Sequence, residues 1–164
     1  MGCIAPVFLL FLLVGCNQRF HAEKTVKSNK LFESKSGLGT QEGNRLQVYL
    51  VSTTWCTSCE KERKELRNYF ENNEKEEDFI QLLQFVDFVS LFYDSEDEDL
   101  KKVASQIPWK AQKDLDTPDS LAENECPELS FPCVLIYHPK KGYVYRHNGE
   151  LGVEKLINLI KENV

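Results

Sequence analysis

The stretch that most constrains this chain is "VYLVSTTWCTSCEKERKELRNYF", residues 48–70, where two cysteines separate an apolar run from a helical pattern. Residues 45–53 are rich in β-branched and aromatic side chains, which predicts a buried strand. After the cysteines, apolar residues recur at helical spacing among charged ones, which predicts an amphipathic helix. Cys56 and Cys59 therefore stand where a buried strand gives way to a helix, and any fold for this chain has to accommodate that junction.

The rest of the chain continues the alternation of strands and helices. Further strands are predicted over residues 85–94, 132–138 and 142–148. Helices are predicted before and after the second strand, over about 119–124, and at the C-terminus, while 107–130 is otherwise irregular. Asp94 and Ser95 are predicted to cap the helix after the second strand. The order β-α-β-α-β-β-α predicts an α/β fold whose mixed sheet carries helices on both faces.

Composition limits the class of partner. The 164 residues are enough for one domain with a real core, and 41% of them are hydrophobic. The net charge is −6, and the basic residues are scattered among acids. Because phosphate binding needs a basic face, nucleic acid is not expected as a partner.

The first sixteen residues, "MGCIAPVFLLFLLVGC", differ from everything after them. The uncharged apolar run is shorter than the roughly 20 residues that span a bilayer, and its length is typical of a signal peptide. Its end resembles the lipobox of bacterial lipoproteins, which makes Cys16 a candidate lipid anchor and predicts an exported, membrane-anchored lipoprotein. No Lys or Arg precedes the run, so a plain secretory signal and an uncleaved anchor remain open. Residues 17–44 are predicted as a polar tether and 45–164 as the folded domain.

Three interpretations of the CxxC pair can be compared. A zinc site needs four ligands, and the remaining two would have to be Cys126 and Cys133, one of them inside a strand. A purely structural disulfide between Cys56 and Cys59 would close a very small loop and so would restrict the unfolded chain little. Neither interpretation explains why the pair lies at a strand-to-helix junction.

A redox couple does explain the position. Unpaired N–H groups and the helix dipole at a helix N-terminus stabilise a thiolate, so Cys56 is the candidate nucleophile. Cys59, one turn deeper, is placed to attack the mixed disulfide and release the product. Trp55 offers an apolar surface against which a substrate can lie.

Trp55-Cys56-Thr57-Ser58-Cys59 after a strand, with Phe131-Pro132 opening a later strand, resembles the thioredoxin-like superfamily. The resemblance implies the thioredoxin fold and thiol–disulfide exchange with protein or small thiol substrates. It implies an upstream thiol donor or acceptor of electrons and no cofactor or metal. It also implies a cis Pro132 packed against the CxxC, with Phe131 offering backbone hydrogen bonds to the substrate.

Within the superfamily, "DSEDEDLKKVASQIPWKA" is similar to the tryparedoxin and nucleoredoxin branch, on the strength of Pro108-Trp109. The membrane-tethered TlpA-like reductases are the neighbouring alternative. The chain departs from many thioredoxins at Leu50, where they carry a buried acid six residues before the first cysteine. Thr57-Ser58 also replaces the usual Gly-Pro or Pro-Pro, so the direction of electron flow stays open.

The remaining cysteines allow several roles. Cys133 directly follows Pro132, which in this fold places it close to the CxxC. Cys126 and Cys133 can form a second disulfide, which export would favour, or stay as two buried thiols, or Cys133 can act as a relay. The leading functional hypothesis is an exported thiol–disulfide oxidoreductase. The alternative is a non-enzymatic thioredoxin-fold binding module whose CxxC is a static disulfide.

Overall fold

The computed structural model describes residues 45–116 and 118–164. The strands are β1 Leu46–Ser52, β2 Val86–Phe92, β3 Lys110–Lys113, β4 Cys133–His138 and β5 Gly142–Asn148. The helices are α1 Thr57–Asn73, α2 Glu77–Phe85, α3 Asp97–Ala104, α4 Leu121–Glu125 and α5 Val153–Lys161, with a short 3-10 helix at Pro127–Leu129. The expected signal peptide, Cys16 and the tether lie outside the described residues.

The five strands form one mixed sheet in the order β3-β2-β1-β4-β5. Strand β1 pairs in parallel with β2, which pairs in parallel with β3, while β4 runs antiparallel to both β1 and β5. Every residue of the central strand β1 is buried, as expected for a strand covered on both faces. The predicted mixed sheet, parallel first and antiparallel afterwards, is confirmed.

Side chains alternate along β1 between two cores. Val48 and Leu50 belong to one core, which is closed by residues of α1, α2 and α5, including Leu66 of α1. Tyr49 and Val51 belong to the other, which is closed by residues of α4 and by two further cysteines. The helices therefore cover both faces of the sheet, as the order of elements predicted.

Strand β3 is absent from the prediction, which treated its region as irregular. Its sequence, Lys-Ala-Gln-Lys, carries no apolar alternation, and its residues are exposed or half-buried. The strand forms because it pairs in parallel with the edge of β2, with Val89 opposite Lys110 and Phe92 opposite Lys113. An edge strand of this kind is defined by its neighbour and not by its own hydrophobic pattern.

The start of α3 was also predicted wrongly. The N-cap is Glu96, without a side-chain capping bond, so Asp94 and Ser95 precede the helix and do not cap it. Asp94 adopts a positive φ of 44°, which turns the chain between β2 and α3. Ser95 instead bonds to the loop before Cys56, as described below.

None of the helices in residues 45–116 and 118–164 combines the length and the apolar character that crossing a membrane requires.

Candidate active site

The CxxC lies where β1 passes into α1. Cys56 is the N-cap residue of α1, with extended backbone angles, and its Sγ accepts a hydrogen bond from the backbone N–H of Cys59 at 3.2 Å. The hydroxyl of Ser58 lies 3.3 Å from the same sulfur. The first N–H groups of a helix have no backbone acceptors. Those that point at the Cys56 Sγ therefore stabilise its thiolate form when the disulfide is reduced.

The two cysteines differ in their access to solvent. Cys56 and Cys59 form a disulfide with an S–S distance of 2.07 Å. Cys56 is half-buried, whereas Cys59 is 1% exposed. Trp55, the residue before Cys56, is 70% exposed. An incoming sulfur can therefore reach Cys56 from solvent, beside a large apolar side chain, while Cys59 is shielded by the protein.

The loop before β4 lies next to the end of β1. Cys133 is paired with Val51 in the antiparallel ladder, so the residues just before Cys133 lie beside the loop that leads to Cys56. The Phe131–Pro132 peptide bond is cis, as the resemblance implied. The Pro132 carbonyl accepts a hydrogen bond from the Gly149 N–H at 2.7 Å. The structure thus brings together the two parts of the predicted site that are distant in sequence.

A second disulfide joins the same region to α4. Cys126 and Cys133 are bonded at 2.21 Å, and their residues are 1% and 0% exposed. The bridge spans the segment that contains the cis peptide bond. Within that segment Glu128 and Leu129 adopt positive φ values of 54° and 49°, a region that non-glycine residues seldom occupy. Of the three alternatives left open by the sequence, the structure contains the disulfide.

Ser95 is a supporting residue whose place sequence analysis missed. Its Oγ accepts a hydrogen bond from the Thr54 N–H at 3.2 Å and donates one to the Tyr93 carbonyl at 3.0 Å. The Tyr93 N–H in turn donates to the Ser52 carbonyl at 2.9 Å. These bonds hold the loop before Cys56 to the loop after β2, and Ser95 is 5% exposed, so water does not compete with them.

Glu62 is a buried acid near the CxxC. It is 8% exposed, and its Oε1 accepts a hydrogen bond from the Leu151 N–H at 3.0 Å. Burial raises the pKa of its carboxyl, and the backbone hydrogen bonds that it accepts oppose that rise. The position six residues before Cys56 is filled by buried Leu50, so the buried acid of this site comes from α1 and not from β1.

The sequence did contain a signal for Glu62. The buried stripe of α1 follows helical spacing, and its members are Cys59, Glu62, Arg63, Leu66 and Phe70. Two charged residues on an otherwise apolar stripe indicate buried charges with specific partners. Arg63 Nη1 donates to Ser52 Oγ at 3.1 Å, and its guanidinium lies 5.3 Å from the centre of the Phe92 ring. Burial lowers the pKa of Arg63.

In the described part of the chain, no group of three or more His, Cys, Asp or Glu is arranged to hold a metal ion. Cys56, Cys59, Cys126 and Cys133 are all in disulfides, so none of these sulfurs is a thiolate ligand.

Neither a protein-family model nor a curated protein matches the sequence. Solved structures do match the fold. A secreted Mycobacterium tuberculosis disulfide oxidoreductase homologous to E. coli DsbE is 16% identical with a TM-score of 0.53, over 72% of this chain and 81% of that one. The thioredoxin domain of a Bacteroides vulgatus thiol-disulfide oxidoreductase is 20% identical with a TM-score of 0.53, over 72% and 78%.

The chain has the thioredoxin fold. Mycobacterium tuberculosis DsbF, solved in mixed oxidized and reduced forms, agrees at 13% identity and a TM-score of 0.55, over 72% of this chain and 80% of that one. The structural agreement establishes the fold, whereas identities this low do not carry the activity of these proteins over to this chain. In this thioredoxin fold the CxxC disulfide occupies the N-terminus of α1, beside the cis-proline loop.

Proposed function

We propose that this protein is a thiol–disulfide oxidoreductase whose reactive couple is Cys56 and Cys59. The observation that carries the proposal is the asymmetry of the pair. A half-buried sulfur at a helix N-cap is disulfide-bonded to a cysteine that is 1% exposed. Such a bond can be opened from one side only, and the sulfur on that side is the one that the helix N-terminus stabilises as a thiolate.

The exchange runs in two balanced steps. In the reduced protein, the Cys56 thiolate attacks one sulfur of a substrate disulfide, and the other substrate sulfur leaves as a thiolate that takes up a proton. The Cys59 thiol then loses its proton and attacks the Cys56 sulfur, which releases the second substrate thiol and leaves the Cys56–Cys59 disulfide. Two electrons and two protons pass to the substrate, and the reverse sequence oxidises a dithiol substrate.

Substrates and partners follow from this chemistry. We propose protein or small-molecule disulfides and thiols as substrates, positioned by Trp55 and by the loop of Phe131 and Pro132. A separate thiol donor or acceptor returns the couple to its starting state. Exposure of Trp55 and the adjacency of the cis-proline loop to the end of β1 support these roles.

A mixed-disulfide trap tests the proposal. The Cys59→Ser protein should accumulate a covalent adduct with a disulfide substrate, because the second step is blocked, and Cys56→Ser should neither form the adduct nor reduce insulin. A Cys126→Ala/Cys133→Ala protein is the matched control and should still react. If Cys59→Ser traps nothing while Cys56→Ser retains turnover, the couple is not the reactive one.

The measured reduction potential of Cys56–Cys59 separates an enzyme from a binding module. A potential within the range of cellular thiol pairs allows turnover in either direction. A strongly negative potential, with no exchange with any thiol donor, would instead favour the static disulfide.

We further propose that the protein works outside the cytosol, attached to the membrane by a lipid on Cys16. The lipobox-like end of the apolar run supports the anchor, and two disulfides in the domain support an oxidising compartment. Expression of the full chain and of Cys16→Ser, followed by detergent phase partitioning and mass spectrometry, tests this. Only the unchanged chain should carry a lipid and enter the detergent phase.

The relation to the tryparedoxin and nucleoredoxin branch is also a proposal, and it rests on Pro108-Trp109. Trp109 has a structural role in this fold, because its Nε1 donates to Ser90 Oγ at 2.9 Å and its ring lies 5.0 Å from that of Phe70. Core packing therefore explains Pro108-Trp109 better than membership of the branch does. TlpA-like reductases remain the alternative. Comparing electron donors of the two groups in the insulin assay would separate them.

A further inference from the structure

A cavity of about 540 Å³ opens between α1 and α3, beside Thr54 in the loop before Cys56. Its charged lining is mostly basic, although the protein as a whole carries a net charge of −6. The basic residues are Arg63, Lys64, Arg67 and Lys102, and the acidic residues are Glu60 and Asp99. We call this cavity the basic groove.

The basic groove and the candidate nucleophile share one face of α1. Counting from Cys56, the residues Glu60, Lys64 and Arg67 stand at positions i+4, i+8 and i+11, which follow one another along the same side of a helix. At a rise of about 1.5 Å per residue, Lys64 lies about 12 Å along the helix from Cys56 and Arg67 about 16 Å. A chain bound at Cys56 can continue along this face into the groove.

The positive charge of the groove is incompletely neutralised within the protein. In residues 45–116 and 118–164, Arg63, Lys64 and Lys102 take part in no ion pair. Arg67 lies 3.6 Å from Glu71, which is exposed. Arg63 is 7% exposed, and its direct contacts are a hydroxyl and an aromatic ring, while Glu60 acts on its charge without forming an ion pair. A ligand that carries carboxylates would supply these cations with partners of opposite charge.

We propose that the basic groove binds an acidic segment of a protein substrate, about four or five residues from the cysteine that reacts with Cys56. This proposal rests on the proposed function and specifies its substrate class. The spacing supports a peptide, because 12–16 Å corresponds to about four or five residues of extended chain. Glu60 lies between Cys56 and the cations, so an acid directly beside the substrate cysteine is disfavoured and acids farther along are selected.

Two peptides test the proposal with the purified, reduced full chain. Each has one cysteine as a mixed disulfide with 2-thiopyridine, and they differ only at the fourth and fifth positions on both sides, with Glu in one and Gln in the other. Release of thiopyridone, after subtraction of the release by the Cys56→Ser protein, reports the attack of Cys56 on the peptide disulfide. At low salt the acidic peptide should react about tenfold faster, and added salt should bring this ratio towards one.

Charge removal in the groove provides the second measurement. In Lys64→Gln/Lys102→Gln the acidic-to-neutral rate ratio should fall about threefold or more. Both residues are exposed, so the fold should tolerate the change. Lys75→Gln is the matched control, because the Lys75 side chain is 90% exposed and lies beyond the end of α1. In this variant the acidic-to-neutral rate ratio should equal that of the unchanged protein.

The outcomes separate this inference from the proposed function. If both peptides react equally fast, the groove does not recognise acidic segments, and the inference is wrong while the proposed oxidoreductase function is unaffected. If neither peptide reacts, the proposed function itself fails. If the peptides react equally but the rate with glutathione disulfide depends on Lys64 and Lys102, the groove serves a small carboxylate-bearing thiol, and the inference of a protein substrate is wrong.

Discussion

The hydroxyl of Ser95 accepts a hydrogen bond from the backbone N–H of Thr54 at 3.2 Å, across 41 residues of chain. The same hydroxyl donates to the Tyr93 carbonyl, so one buried side chain joins the loop before Cys56 to the end of β2. The position of the CxxC therefore depends on a contact outside its own strand and helix.

Replacing Ser95 by Ala should lower the free energy of unfolding by about 1–2 kcal/mol, because it leaves a part-buried N–H and carbonyl without their partner. Chemical denaturation measures the loss. Ser105→Ala is the matched control: its Oγ donates to the Lys102 carbonyl at an exposed helix end, so the change should stay within about 0.5 kcal/mol. Equal losses in the two variants would contradict a bracing role for Ser95.

Glu62 should make stability depend on pH. Burial raises its pKa in the folded protein above the ordinary value of 4.5, so the folded state holds the proton to higher pH than the unfolded state. Stability therefore falls as pH rises from 4.5 through the folded pKa and then levels off. Glu62→Gln removes the titration and keeps an acceptor for the Leu151 N–H.

Denaturation curves across this pH range should show a smaller decline for Glu62→Gln than for the unchanged protein. Glu162→Gln, at the exposed end of α5, removes the same charge far from Glu62 in the chain and should leave the decline unaltered. Should the two variants behave alike, the pH dependence does not come from the buried carboxyl.

The two disulfides should be reduced in a fixed order. Cys56 is half-buried and can be reached by a thiol, whereas Cys126 and Cys133 are 1% and 0% exposed. Brief treatment with limiting dithiothreitol, followed by alkylation and peptide mass spectrometry, should label Cys56 and Cys59 while the other pair stays closed. Labelling of Cys126 and Cys133 first would mean that burial does not protect that bond.

Removing the second disulfide should lower the stability of the fold more than it lowers the reactivity of Cys56. In Cys126→Ala/Cys133→Ala, the free energy of unfolding under non-reducing conditions should fall by about 2–4 kcal/mol, because a crosslink and packed core atoms are both lost. The Cys56 adduct with a disulfide peptide should still form. If stability is unchanged, the bridge does not hold the loop of Phe131 and Pro132 against the sheet.

Trp55 should affect substrates and not folding. Its side chain is 70% exposed, so Trp55→Ala should change the free energy of unfolding by no more than about 0.5 kcal/mol. Loss of an aromatic contact worth about 1 kcal/mol predicts a rate of adduct formation about fivefold lower. Phe85→Ala, at the end of α2 and 56% exposed, is the matched control and should not alter the rate.

Local pattern predicted the centre of the site. The buried strand, the helix and the two cysteines at their junction are contiguous in the chain, so strand composition and helical spacing are sufficient to place them. Pro132 was placed beside the CxxC by the resemblance to the thioredoxin-like superfamily, and the start of a strand is a position where a sheet tolerates a proline. The mixed sheet with helices on both faces followed from the order of elements and was confirmed by the structure and its neighbours.

Tertiary structure decided what depends on distant partners. Strand β3 exists because the edge of β2 offers it hydrogen bonds, and its own residues carry no strand pattern. Ser95 was predicted to cap a helix because serine is a preferred N-cap residue and an acidic run follows it. In the structure its hydroxyl instead accepts a hydrogen bond from the Thr54 N–H. Glu62 lies on the buried stripe of α1 by its helical spacing, and the tertiary structure brings the Leu151 N–H to its carboxylate as a partner.

The sequence by itself determined the strand, the CxxC and the helix, because the interactions that form them join residues close in the chain. The tertiary structure alone decided that Cys126 pairs with Cys133, which backbone group bonds to Glu62 and where positive charge collects between α1 and α3. Those outcomes depend on burial and on contacts across many residues, and one-dimensional spacing does not record them.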